Sequence, residues 1–366
     1  MKEKTDLVRI YADGVFDFMH SGHFNALRQA SKLGDVLVVG VVSDEECALH
    51  KGPTVFTCKE RADMIRKCKW VDEVIEDVVY YPTLQTVEDA KCDFYSHGDD
   101  IIYYADGTDS LSIFRDAGKL RLFKRTRGVS TTNIVGRLLR LENQFIHKPK
   151  GKMLLEPVSS SEIKSVNDIP RNKGQESEAP PTSVDMSQMG KATFLATTHR
   201  IMQFSNHKEP KPNDRVVYLD GGFDLMHEGH LELIEKAKAL GDFLYIGVHE
   251  NSELDNPMMS LHERVLMCLA NKDVDDVLIG APAIITEALI NGYGIHTVVA
   301  CLEYGERESV SEEEAYAIPK AKGIFQIIEV ESKMNLDVIV RRIFDNREKH
   351  LEKIAGKQES EKKITI

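Results

Sequence analysis

Two stretches 207 residues apart spell almost the same phrase: GVFDFMHSGH at 14–23 and GGFDLMHEGH at 221–230. Around them, residues 11–41 and 218–248 align without a gap and share 16 of 31 positions. Farther on, KERADMIRKCKWVDEV (59–74) matches HERVLMCLANKDVDDV (262–277) at an offset of 203, so four residues are missing from the second copy. A repeat this long is the duplication of a whole domain rather than a solenoid period. Any fold for this chain must be built twice, and 366 residues leave each copy room for a core.

Each copy opens as strand, turn, helix, strand. VRIYA is a short apolar strand, and FNALRQASKLG is a helix with a glycine stop. DVLVVGVV follows as an unbroken apolar run, the pattern of a parallel strand covered on both faces. DEVIED and CDFYSHG supply further strands. The expected fold class is α/β: two tandem doubly wound parallel sheets, Rossmann-like, packed on each other as a pseudo-dimer. KWVDEV and its echo KDVDDV, with Trp70 in the first, are the expected contact. Between the copies the composition shifts. Seven of 12 prolines fall in 148–213, and the centre of that stretch lacks apolar periodicity. The expected division is a first domain at 1–147, a flexible linker at 148–190, a second domain at 191–350 and a charged, frayed tail at 351–366.

Composition removes several classes of function. With 42% hydrophobic and 29% charged residues the chain reads as soluble and globular. A net charge of -12 argues against general nucleic-acid binding. The longest apolar run, VLVVGVV, is too short to cross a bilayer, and MKEKTDLVR lacks a secretory signal. Cys47, Cys58, Cys68, Cys92, Cys268 and Cys301 form no CxxC pair, which suggests reduced thiols and a cytoplasmic protein. Loose association with the endoplasmic reticulum surface is compatible with this reading; stable membrane insertion is not.

The chemistry is concentrated in the repeated phrase. His20 and His23 stand where a strand hands over to a helix, and a helix N-terminus offers unpaired N–H groups and partial positive charge to phosphate. Gly14 and Gly22 let backbone approach a ligand. One helical turn apart, the two histidines can address the same oxygens.

GVFDFMHSGH resembles the GxFDxxHxGH signature of the cytidylyltransferases, within the HxGH nucleotidyltransferase superfamily. RTRGVSTT at 125–132 is similar to the family's RTxGxSTT signature, and HKGPTVFTCKER and CDFYSHGDDI lie between them in family order. Two such domains in tandem, with THRIMQFSNHKEPKP before the second, resemble the branch of the family that acts on phosphoethanolamine. The resemblance covers roughly 8–140 and 194–345. It implies transfer of CMP from CTP to phosphoethanolamine, with Mg²⁺ accompanying CTP and no metal held by the histidines. His20, His23, Lys51 and Arg125 would be the catalytic residues. Gly14, Val15, Phe16, Gly22, Gly98, Asp99, Thr126, Gly128, Val129, Ser130, Thr131 and Thr132 would bind CTP. Asp13, Lys51, Tyr80 and Tyr103 would hold phosphoethanolamine, its ammonium favoured by a carboxylate and ring faces.

The second copy keeps His227 and His230, yet its other phosphate contacts are gone. ELDNPMMS offers no counterpart of Lys51, Ala300 and Cys301 stand for His97 and Gly98, and a linear alignment sets Glu329 against Arg125. The expectation is a degenerate site, retained for packing or as a regulatory nucleotide site. Alternatives for the whole chain are a phosphocholine cytidylyltransferase or a non-catalytic nucleotide-sensing scaffold. Whether two chains pair again as a homodimer is left open.

Overall fold

A computed structural model describes residues 7–100, 108–126, 131–140, 193–254, 257–301 and 310–364. The first sheet is built from β1 (Arg9–Gly14), β2 (Val36–Val42), β3 (Glu73–Val78), β4 (Phe94–Gly98) and β5 (Leu120–Phe123). Its order is β3-β2-β1-β4-β5, and every neighbouring pair is parallel. Helices α1 (Ser21–Ala30), α2 (Asp44–His50), α3 (Cys58–Arg66), α4 (Leu84–Asp89), α5 (Ser112–Asp116) and α6 (Thr131–Arg140) accompany it. After α7 (Thr193–Phe204) the plan returns: β6 (Val216–Gly221), α8 (Glu228–Lys238), β7 (Phe243–His249), α9 (Leu261–Ala270) and β8 (Asp276–Ala281). There follow α10 (Glu287–Gly292), β9 (Ile295–Ala300), α11 (Glu312–Ala315), α12 (Ala317–Ala321), β10 (Phe325–Ile327), α13 (Leu336–Asp345) and α14 (Arg347–Ile364). The second sheet runs β10-β9-β6-β7-β8, the same winding read from its other edge. Both are the doubly wound α/β architecture expected, and in each the strand order reverses beside the strand that feeds the repeated phrase.

The continuous apolar run of β2 is explained by its place in the sheet: Leu37 to Val42 are all buried. The two domains share one apolar cluster, with Leu27, Ile65 and Cys68 from the first and Leu233, Met267 and Cys268 from the second. At its centre the chain pairs with itself. Cys68 and Asn271, equivalent positions of the two copies, form an antiparallel bridge. Lys69 N donates to Ala270 O at 2.9 Å and Lys272 N donates to Lys67 O at 2.8 Å. Equivalent residues meeting reciprocally define a pseudo-twofold axis. Packing obeys it, since α1 lies on α9 as α3 lies on α8. Trp70 meets Phe204 edge to face at 4.9 Å beside this axis.

The end of the chain departs from expectation. Residues beyond 350 are not a frayed tail: α14 continues to Ile364, and it packs on α6 of the first domain. Among its described side chains His350 is buried and Ile354 packs on the shared core, within a stretch whose composition reads as solvated. The proposed linker, 148–190, lies outside the described residues.

Candidate active site

The phrase GVFDFMH is held in an unusual backbone. Phe16 and Phe18 take φ of 53° and 46°, and their equivalents Phe223 and Leu225 take 53° and 45°. Left-handed backbone is uncommon at large side chains and costs on the order of 1 kcal/mol or more at each. The turn delivers His20 to the N-cap of α1, where its Nδ1 accepts from Gly22 N at 3.1 Å. That bond places the imidazole proton on Nε2. Gly22 is required for the contact, because a Cβ there would sit 2.8 Å from the His20 ring. His23 follows one turn later, its ring stacked on His20 with centroids 3.9 Å apart and planes 19° apart. Burial, then the charges of His20, Lys51 and Arg125, push the His23 pKa well below its ordinary value. It is a neutral imidazole, and its Nδ1 is buried without a partner among the described residues.

Asp17, inside the same phrase, is a residue to which the sequence reading assigned no role. It is buried, and its Oδ1 accepts from Val55 N at 3.2 Å and Phe56 N at 3.1 Å. Its carbonyl accepts from the Thr131 hydroxyl at 2.7 Å, tying the histidine turn to the start of α6. Arg61 completes the frame from within, donating to Phe56 O, Val15 O and Val42 O at 3.1, 2.6 and 2.8 Å. Arg264 repeats this in the second copy. The signal was present in the shared ER of KERADM and HERVLM, which charge patterning alone reads as solvated.

The remaining candidates fall around this frame. Lys51 closes α2 and is exposed, yet desolvation by its surroundings and the charge of Lys353 depress its ammonium. Arg125 donates its backbone N–H to Asp99 at 2.9 Å, and its guanidinium is paired with Asp100. Thr126 accepts from Asn25 Nδ2 at 2.8 Å. Thr132 lies in the first turn of α6 beside Thr131, and Gly98 ends β4 against Asp100. Gly128, Val129, Ser130 and Tyr103 lie outside the described residues.

At the end of β1, Asp13 accepts from the Tyr95 hydroxyl at 2.9 Å through Oδ1, while Oδ2 is buried with no partner among the described residues. Burial raises its pKa from 3.8 to about 7. Tyr80, whose own titration feels Asp13, packs with Val15, Val42 and Cys47 and stacks on His50 with centroids 5.1 Å apart. A cation entering here would meet an unpaired carboxylate oxygen near aromatic rings.

The second copy has the same frame with its openings filled. Sheet register matches Tyr95 to Val298 and Leu120 to Phe325, which sets Val330 rather than Glu329 opposite Arg125. The linear alignment is therefore one residue out, and a buried apolar side chain replaces the cation. Glu232, at the place of Asn25, accepts from Glu331 N at 2.8 Å and Ser332 N at 3.0 Å, so its carboxylate occupies N–H groups of the second loop. Asp220, the equivalent of Asp13, accepts from the Tyr316 hydroxyl at 2.8 Å and has His249 Nε2 3.5 Å away. The His227 and His230 rings are tilted by 41°, and His230 Nδ1 accepts from His227 N at 3.4 Å.

A parallel doubly wound sheet with a histidine pair at the helix start beside its switch point defines a nucleotidyltransferase-type site. A cytidylyltransferase-like family model matches residues 11–137 and again 218–354. The chain is 42% identical over 350 residues to an ethanolamine-phosphate cytidylyltransferase of Dictyostelium discoideum, covering 93% of this chain and 91% of that one. To one of Arabidopsis thaliana it is 40% identical over 373 residues, covering 98% and 86%. A probable choline-phosphate cytidylyltransferase of Schizosaccharomyces pombe is 42% identical over 142 residues, but covers 38% of this chain and 39% of that one. The chain belongs to the ethanolamine-phosphate cytidylyltransferase family.

Proposed function

We propose that the first copy transfers the cytidylyl group of CTP to phosphoethanolamine, giving CDP-ethanolamine and pyrophosphate in phosphatidylethanolamine synthesis. A phosphomonoester oxygen attacks the α-phosphorus in line, and the bond from that phosphorus to the bridging β-oxygen breaks. No protein nucleophile is needed, so catalysis is positioning and charge stabilisation. His20 and His23 act as donors to phosphate oxygens, His23 as a neutral imidazole. Lys51 bridges the α-phosphate and the incoming phosphomonoester. Arg125 leaves Asp100 to clamp the β- and γ-phosphates, a bidentate role suited to guanidinium. Each such donor contributes about 3–4 kcal/mol to the transition state.

The observation that carries the reading is the pairing of a stacked histidine couple at a helix start with a buried, unpaired carboxylate oxygen on the strand that feeds it. One end suits phosphate, the other an ammonium. A primary ammonium can donate a hydrogen bond to Asp13 Oδ2, whereas a trimethylammonium cannot. Mg²⁺ would accompany the triphosphate, and no step here depends on a protein-held ion. No helix among the described residues is long and apolar enough to cross a membrane. We place the activity in the cytoplasm, with loose contact to the endoplasmic reticulum surface.

Pyrophosphate release with CTP and each of phosphoethanolamine, phosphocholine and glycerol-3-phosphate tests the assignment. Phosphoethanolamine should be preferred over phosphocholine by at least about tenfold in kcat/KM, roughly 1.4 kcal/mol of discrimination. Equal specificity constants would overturn the ethanolamine assignment.

A further inference from the structure

We infer that Lys353, carried by the last helix of the second domain, is a phosphate-binding residue of the first domain's active site. The inference rests on the first copy being the cytidylyltransferase site. α14 follows directly on α13 yet packs on α6, the helix whose first residues are Thr131 and Thr132. His350, Lys353 and Ile354 share one face of α14 by their spacing. His350 is buried and Ile354 touches the shared core, so that face is the one turned inward. Lys353 is half-buried, and its charge is felt by Lys51, Asp17 and His350.

The electrostatics are those of a site lacking its counter-charge. Among the described residues neither Lys51 nor Lys353 has a carboxylate within ion-pair distance. Burial lowers both ammonium pKa values, and Lys353 lowers that of Lys51 further. Like charges close enough to feel each other are unfavourable until an anion joins them. The demand for cations is also clear. His23 is neutral and Arg125 begins in a pair with Asp100, so the first domain offers little uncompensated charge to a triphosphate and a phosphomonoester. The charges of both Arg125 and Lys353 are felt by Lys51. Lys353 therefore serves the phosphate on the side of Lys51, where α-phosphate and phosphomonoester meet. The second domain then does more than pack: it completes the site of the first.

The test uses the full chain with K353M, K353R and, as control, K349M, which alters an exposed lysine of the same helix. Steady-state pyrophosphate release is measured beside a thermal melt. In parallel, lysines of the unmutated chain are acetylated with and without CTP and phosphoethanolamine, and Lys353 is read by mass spectrometry. K353M should lose about 100-fold in kcat/KM, K353R should recover most of it, and K349M should match the unmutated chain. Acetylation of Lys353 should fall when substrates bind. Unchanged kcat/KM in K353M, or labelling that neither substrate reduces, overturns the inference. If K353M does not fold, K353R and the labelling decide. An unmutated chain that releases no pyrophosphate with any acceptor instead defeats the functional reading, while protection of Lys353 by CTP still reports on this residue.

Discussion

Arg342 in the second domain holds Glu60 in the first through two hydrogen bonds of 2.7 and 2.9 Å, while its pseudo-symmetric counterpart Arg137 reaches Glu263 only at 3.5 Å. Both arginines also donate to a loop carbonyl of the opposite domain, Arg342 to Val55 and Arg137 to Met258. The duplicated contact is therefore drawn tighter on the side of the first copy. Val55 N and Phe56 N hold Asp17, and Asp17 holds Thr131, so the grip of Arg342 is passed to the histidine turn and the start of α6. R342M should cost about 1–2 kcal/mol of stability, less than a fully buried pair because water reaches the arginine. It should also lower kcat/KM several-fold. Urea denaturation and steady-state rates check this; an R342M chain unchanged in both would show that the contact is ornamental.

Lys51 and Arg125 are each expected to be dispensable for folding and needed for chemistry. Lys51 is exposed and the Arg125 side chain is 61% exposed. Neither fills core volume. K51A and R125A should each lower kcat/KM on the order of 100-fold or more. Their thermal melts should stay near that of the unmutated chain. Near-normal turnover in a folded variant would count against the assigned site.

Asp13 should write itself into the pH profile. Its pKa in the folded chain, about 7, lies above the usual carboxylate value because burial disfavours the charge. Between the unfolded value and about 7 the folded chain keeps a proton that the unfolded chain has lost. Its contribution to stability thus declines as pH rises through that window. Only the ionised form attracts an ammonium, so kcat/KM for phosphoethanolamine should climb through about pH 7 and then level. D13N should be slower and lack that limb, although titration of the substrate's own phosphate is common to both. An identical rising limb in D13N would remove Asp13 from the acceptor pocket.

What the sequence disclosed was local or repeated. The strands, the duplication and the histidine turn are written in contiguous stretches whose periodicity and echo are visible without a fold. Arg61 was harder, since a buried arginine bonded to Phe56, Val15 and Val42 carbonyls looks in one dimension like surface charge. Glu232 was harder still. Its capture of Glu331 and Ser332 spans about a hundred residues and depends on a register that a linear alignment misses by one. The packing of the last helix is hidden for the same reason, because it rests on contact with α6, in a domain far away in sequence.

The central claim is that the fold was written twice and the site once. The second copy closes its own openings: Glu232 stands where a phosphate loop would bind an anion, and Tyr316 and His249 crowd Asp220 where an ammonium would sit. To admit a triphosphate, Glu232 would have to leave both the Glu331 and Ser332 N–H groups and Lys236, which it meets at 2.7 Å, and Val330 stands at the position of Arg125. Titration calorimetry of the full chain with CTP counts the sites directly. One CTP per chain is predicted, with the stoichiometry unchanged in H227N/H230N and the heat lost in H20N/H23N. Two CTP per chain, the second vanishing in H227N/H230N, would contradict the account and make the second copy a nucleotide site in its own right.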